Sequence, residues 1–313
     1  TEGVEGVFAE RRAAAIRAYH EWMPTRLPDP SRPDRIYRSF RFGNLLSLHM
    51  LDTRVIGRDP QMDYANYLGA SGFDTARFTA DLTDPNRTLL GAEQNDWLGL
   101  QLAQSDTTWD MLGQQVLMGR MNIPAPLVLG QISFTQYSAL IFKAQTAPAT
   151  LTPQEQAVLA QPAIPYNLDA WDGYAIARET LLGTARALDK NLVVLAGDTH
   201  NAWASDLTDF AGNRVGVEFA TSSVTSPGFE EYFPAENPLA VAAGLTQIIG
   251  PLQYADTARR GFMIVTATQD ACRCEWRYVS TVKSRSYVLQ QGPALGRTAC
   301  RAPPAARGGW SAA

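Results

Sequence analysis

Apolar positions along the chain alternate between two spacings, and the alternation lays out strands and helices in turn. Residues 6–24, GVFAERRAAAIRAYHEWMP, carry apolar and alanine positions at helical spacing and stop at Pro24, which predicts an amphipathic helix. After a Pro-rich link, residues 36–54 (IYRSFRFGNLLSLHMLDTR) read as two strands joined by a hairpin turn at Gly43-Asn44. The second of these, from Leu45 to Asp52, is apolar on both faces and is therefore expected inside a sheet. Residues 55–91 are mostly polar and read as a long surface excursion. Residues 92–105 look helical, and residues 107–118 look like the next strand.

From Gly119 to about Asp169 prolines punctuate a looser pattern that reads as an inserted lid. Within it Thr152-Pro153-Gln154-Glu155 is a capping box that predicts a helix start. Residues 171–190 form a helix with Ile176, Leu181, Leu182 and Leu188 on its apolar face, followed directly by a strand from Leu192 to Ala196. Further strands are expected at residues 214–222, 261–268 and 272–279, the last two as a hairpin about Gln269 to Ala271. Residues 289–313 read as a loose tail. The sum is a mixed α/β fold with helices outside sheets, its main body over 1–288.

Composition narrows the function. At 313 residues and 45% hydrophobic, the chain can bury a large core, and a net charge of −4 offers no basic surface for a phosphate backbone. No apolar stretch approaches the length of a membrane-spanning helix. Cys272 and Cys274, in a Cys-x-Cys pair, suit either two thiols on one strand face or a disulfide from one of them to Cys300. Zinc ranks lower for want of a fourth ligand. A serine-hydrolase reading is weak because no Gly-x-Ser-x-Gly is present.

The informative stretch is VVLAGDTHNAWASDL, residues 193–207. A strand ends, Gly197 lets the backbone leave the sheet, and Asp198 and His200 follow. In an extended segment residues i and i+2 project to one side roughly 7 Å apart, so both could reach one metal site, where paired ions sit ~3.5–4 Å apart. A carboxylate with an imidazole suits iron, zinc or manganese. The plain alternative is an aspartate capping a following helix, with a histidine bonded to backbone. Asp52 and Arg54, at the end of another strand, can pair with each other, or Arg54 can hold a phosphate. Asp172 can cap the helix that follows it, and Asn201 can cap a turn or act as a ligand. The loop Thr221 to Gly228 offers hydroxyls and N–H groups to an anion, although such a run is commonly only a loop. His20 is expected as a solvated helix residue and His49 as a hydrogen-bonded core histidine.

Residues 193–207 resemble the last metal-binding motif of the calcineurin-like metallophosphatases in the form found in the alkaline phosphatase D (PhoD-like) family. Residues 38–54, 92–118, 170–174 (AWDGY) and 217–228 (VEFATSSVTSPG) resemble that family's other recurring pieces, in the family's order. The resemblance implies a four-layer αββα sandwich and hydrolysis of phosphate monoesters and diesters by metal-activated water. It also implies Fe3+ and Ca2+ as cofactors, a small phosphate ester as substrate, and a periplasmic or secreted setting. It assigns Asp198, His200 and Asp172 to the metals, and Arg54, Asp172 and Asn201 to catalysis. In the family, an upstream half supplies further ligands from an early aspartate, a Gly-Asp segment with a nearby tyrosine and an Asp-Asp-His-Glu stretch; this chain has no Asp-Asp-His, and its sole Gly-Asp is Gly197-Asp198. The expectation is that this chain holds the C-terminal part of the domain, starts after those ligands, and is inactive alone. The alternative is a non-catalytic binding or structural module that keeps the scaffold with an incomplete metal site.

Overall fold

A computed structural model describes residues 2–70, 72–232, 234–299 and 310–312. Its strands, in chain order, are β1 (Arg38–Phe42), β2 (Leu46–Met50), β3 (Leu68–Gly69), β4 (Gly72–Phe73), β5 (Trp109–Gly113), β6 (Asn122–Pro124), β7 (Ala163–Pro165) and β8 (Leu192–Ala196). They continue with β9 (Ala202–Thr208), β10 (Arg214–Ala220), β11 (Leu252–Asp256), β12 (Arg260–Ala267), β13 (Ala271–Val279), β14 (Leu289–Thr298) and β15 (Trp310–Ala312). Seven form one mixed sheet in the order β1-β2-β5-β8-β10-β9-β11, and β12 to β15 form a four-stranded antiparallel sheet.

The four strands β2, β5, β8 and β10 run parallel at the centre of the large sheet. Both of its faces are covered, which accounts for the unbroken apolar run of β8. On one face Leu192 and Val194 join Leu112, with Leu98 and Leu102 from the helix Gly91–Gln104 and Leu181 and Leu182 from the helix Ala175–Ala187. On the other, Trp109, Met111, Val193, Val217 and Phe219 meet Cys272, Cys274, Trp276 and Tyr278 of β13. The layers are therefore helices, the large sheet, and the smaller sheet.

Most local expectations hold. The helix Phe8–Trp22 forms, and β1 and β2 pair antiparallel across a turn where Gly43 takes φ +59°. Thr152 and Glu155 cap each other's backbone, with Pro153 in the first turn. Two expectations fail, and one segment holds more structure than expected. The polar excursion contains a helix, Thr75–Leu82, and packs Met62, Tyr67 and Phe78 against Ala125, Ile164 and Leu168 of the inserted segment in a core of its own. The inserted segment also holds a helix at Phe134–Thr146, capped reciprocally by Ser133 and Gln136. The region read as a loose tail instead supplies β14, paired with β13 from Ala271↔Thr298 to Val279↔Leu289. Its Gly and Gln content hides the strand locally, and pairing with β13 satisfies the backbone. Cys272 and Cys274 are buried free thiols, and burial pushes both upward, Cys272 to about 12. Cys300 lies outside the described residues.

Candidate functional site

The loops after the parallel strands β2, β5, β8 and β10 meet at one edge of the sheet, the position where open α/β sheets collect ligands. Backbone bonds tie them in sequence. Leu51 N–H donates to Gly113 O, Gln114 N–H to Leu195 O, Gly197 N–H to Gln115 O, and Thr221 N–H to Ala196 O, all between 2.9 and 3.1 Å. Gln115 adds a cross-brace that the sequence did not signal. Its Oε1 accepts from both Thr53 N–H (2.9 Å) and the Thr53 hydroxyl (2.6 Å), and its Nε2 donates to Leu51 O (3.0 Å). One side chain thus fixes the Arg54 loop, while its own carbonyl holds the Asp198 loop.

Asp198 and His200 do not lie on an extended segment. Both occupy the left-handed region, with φ +65° and +61°, in a tight turn between β8 and β9. No helix follows, so Asp198 is not a helix cap. The turn is held from below by Asn201, which is fully buried. Its Nδ2 donates to Thr199 O (2.6 Å), its Oδ1 accepts from Phe229 N–H (3.0 Å), and Trp203 Nε1 donates to the Thr199 hydroxyl (2.8 Å). Gly228 packs so closely on Asn201 Oδ1 and Thr257 O that a Cβ there would overlap them. His200 Nδ1 lies 2.9 Å from Pro227 O. A carbonyl can only accept, so Nδ1 donates, and in the neutral imidazole the lone pair is on Nε2.

Arg54 reaches this turn. Asp52 does not pair with its guanidinium. Asp52 Oδ1 accepts instead from the backbone N–H groups of Arg54 and Val55, both at 2.9 Å. That turn sends the Arg54 side chain outward, where Nη2 donates to Asp198 Oδ1 and Nη1 to Asp169 Oδ2, each at 2.5 Å. Burial works against the Arg54 charge, but the two carboxylates outweigh it and hold its pKa above the usual guanidinium range. Asp169 also accepts from Arg58, a second pairing absent from the sequence reading.

Asp172 lies elsewhere. It caps neither the short turn of helix Trp171–Tyr174 nor the helix after it; it is buried, and its Oδ2 accepts from Met121 N–H at 2.6 Å. Burial raises its pKa and Arg178 opposes the rise. Among the described residues no bond joins it to Asp198 or His200. Its role in the geometry is to grip the strand-end segment 118–121, together with Glu218, which accepts from Met118 and Gly119 N–H, and Arg178, which donates to Met118 O. In the 221–228 loop the Ser223 hydroxyl accepts from Thr225 and Ser226 N–H and so serves the loop itself. His49 is a bonded core histidine between Ser39 and Asp110, and His20 is half-buried against Pro33 O.

A mixed sheet with charged loops at its parallel strand ends defines an α/β protein with a polar strand-end site. The family model for PhoD-like phosphatase matches residues 1–276, and the chain belongs to that family. It is 35% identical over 228 residues to alkaline phosphatase D of Bacillus subtilis (strain 168), an alignment covering 71% of this chain and 32% of that protein. It also resembles a solved structure described as the structure of PhoD, with a TM-score of 0.66 and 27% identity over 94% of this chain and 49% of that one. The chain thus spans about a third of the curated relative and about half of the solved one.

Proposed function

We propose that these residues form part of a metal-dependent phosphoesterase that hydrolyses phosphate monoesters and diesters. The observation that carries the reading is the meeting of Arg54 with Asp198 from loops 144 positions apart, beside a histidine whose Nε2 is free. A guanidinium fork matches phosphate oxygens, and a carboxylate with an oriented imidazole matches a cation. The donors suit the Fe3+ and Ca2+ that the resemblance implies, with Asp198 and His200 as the ligands. When bound, such ions supply Lewis acidity toward phosphoryl oxygens and lower the pKa of coordinated water.

This chain's own residues do the rest. Pro227 O fixes the tautomer of His200, Gln115 holds the two loops in register, and Arg54 offers N–H groups to the phosphate. Asn201 and Asp172 support the strand-end loops from inside. Among the described residues no group of three His, Cys, Asp or Glu side chains could hold a metal ion, so the remaining ligands are proposed to lie outside the described residues. The fourth layer of an αββα sandwich is assigned there too, and the segment 119–169 is read as a lid. Among the described residues no helix is long and apolar enough to cross a membrane, and a periplasmic or secreted setting is the family-based proposal.

The lack of a third donor among the described residues favours a second reading, a non-catalytic module that keeps the scaffold. Purified full-length protein and residues 1–313, each supplied with iron and calcium, separate the readings in an assay with bis(p-nitrophenyl) phosphate. Turnover by the full-length protein and none by residues 1–313 is the expected result. No turnover by either supports the non-catalytic module. Comparable turnover and metal content in both would overturn the incomplete site.

A further inference from the structure

We propose that Asp169 is the positioning residue of the Arg54 phosphate clamp and that Arg58 acts through it. The inference rests on the phosphate-binding reading of Arg54 and adds the residues that aim it. Both oxygens of Asp169 are engaged by guanidinium groups, Oδ2 by Arg54 Nη1 at 2.5 Å and Oδ1 by Arg58 Nη2. The aspartate is itself fixed, since its backbone N–H donates to Asn167 Oδ1 at 2.9 Å.

Arg58 is the rigid end of the chain of contacts. Its side chain is 11% exposed against 35% for Arg54. It donates to Thr53 O at 3.2 Å and lies 5.2 Å from the centre of the Tyr174 ring, on which Arg87 also rests at 4.7 Å. Tyr174 is buried and donates to Asp59 O at 2.7 Å. The order from interior to site is therefore Tyr174, Arg58, Asp169, Arg54, Asp198.

The arrangement divides the two ends of the Arg54 guanidinium. Asp169 holds Nη1, and Nη2 rests on Asp198, a residue assigned to the metals. A cation held by the Asp198 carboxylate would compete for that oxygen and leave Nη2 for a substrate phosphate. Nη1 stays anchored, so the fork remains aimed without the entropy cost of reordering a long side chain. A lysine could not do this, because a single ammonium lacks the two planar ends.

The experiment measures competitive inhibition by inorganic phosphate in the full-length protein, with bis(p-nitrophenyl) phosphate as reporter. Asp169→Asn keeps the shape and loses the charge, and is expected to weaken phosphate inhibition and raise KM at least tenfold with kcat within about threefold. Arg58→Gln is expected to give a smaller effect in the same direction. In an Arg54→Lys background, Asp169→Asn should add nothing further. A merely structural Asp169 would lower the melting temperature and leave inhibition and KM unchanged below it, and that result overturns the proposal. If Arg54→Lys weakens inhibition but Asp169→Asn and Arg58→Gln do not, the positioning role is wrong while the phosphate reading of Arg54 stands. If Arg54→Lys itself leaves inhibition unchanged, the underlying reading falls and the proposal with it.

Discussion

Arg54 Nη2 lies 2.5 Å from Asp198 Oδ1, so the residue proposed as a metal ligand is already paired with a cation of the protein's own. The two side chains are 35% and 31% exposed, and a pair with that much solvent is worth ~0.2–1 kcal/mol. Arg54→Met in the full-length protein should therefore tighten divalent-cation binding by about 1.4- to fivefold, read by competition with a metal-indicator dye. Weaker binding in the variant would mean that Arg54 orders the site rather than competes for it.

His200 offers Nε2 only because Pro227 O holds Nδ1. His200→Ala should lower the metal content of the full-length protein, measured by elemental analysis. Unchanged metal stoichiometry and activity would remove His200 from the ligand set.

Glu218 is buried and accepts from Met118 and Gly119 N–H. Burial raises its pKa to about 7, with the two N–H groups and Arg178 opposing and Asp172 adding to the rise. The folded state therefore holds this proton more tightly than the unfolded chain. The contribution is fully present below the ordinary glutamate pKa and is lost as pH rises through about 7. Melting temperatures across that window should fall with rising pH more steeply in the wild type than in Glu218→Gln. Equal slopes would show that Glu218 does not titrate there.

Gln115 makes three side-chain bonds to the Leu51–Thr53 loop. Gln115→Ala leaves the Thr53 N–H without that partner and should cost about 1–3 kcal/mol in urea unfolding. A loss within measurement error would indicate that water replaces the amide at no cost.

The strand β12 is an edge of the smaller sheet, with Phe262 and Ile264 46% and 44% exposed. On β1, Phe40 and Phe42 pair with Leu48 and Leu46, so they share the face that meets the smaller sheet, yet remain exposed. Phe262 and Ile264 alternate with the core-facing Met263 and Val265 and so lie on the outer face of the edge strand; residues 1–313 alone should self-associate through that face, and Ile264→Lys should reduce the sedimenting oligomer. Persistence of the same oligomer in the variant would place the contact elsewhere.

Local structure was legible where a few neighbouring residues encode it. The helix Phe8–Trp22, the turn at Gly43-Asn44, the Thr152 capping box and the strand Leu192–Ala196 follow from periodicity and caps, whose energetics act within four residues. The strand Leu289–Thr298 was not legible, because its stability comes from pairing with β13 rather than from its own composition.

At the site the sequence determined which chemistry stands at the strand ends, since Asp52, Arg54, Asp198 and His200 each follow a strand. Only the tertiary structure decided how those groups are used. Asp52 turns its carboxylate to the backbone, Asp172 is taken inside to Met121, and Asp198 and His200 adopt left-handed φ. Arg54 finds its partners 115 and 144 positions away. The physical reason is that a charged side chain pairs with whatever opposite charge folding brings within a few ångströms, and sequence spacing does not encode that distance.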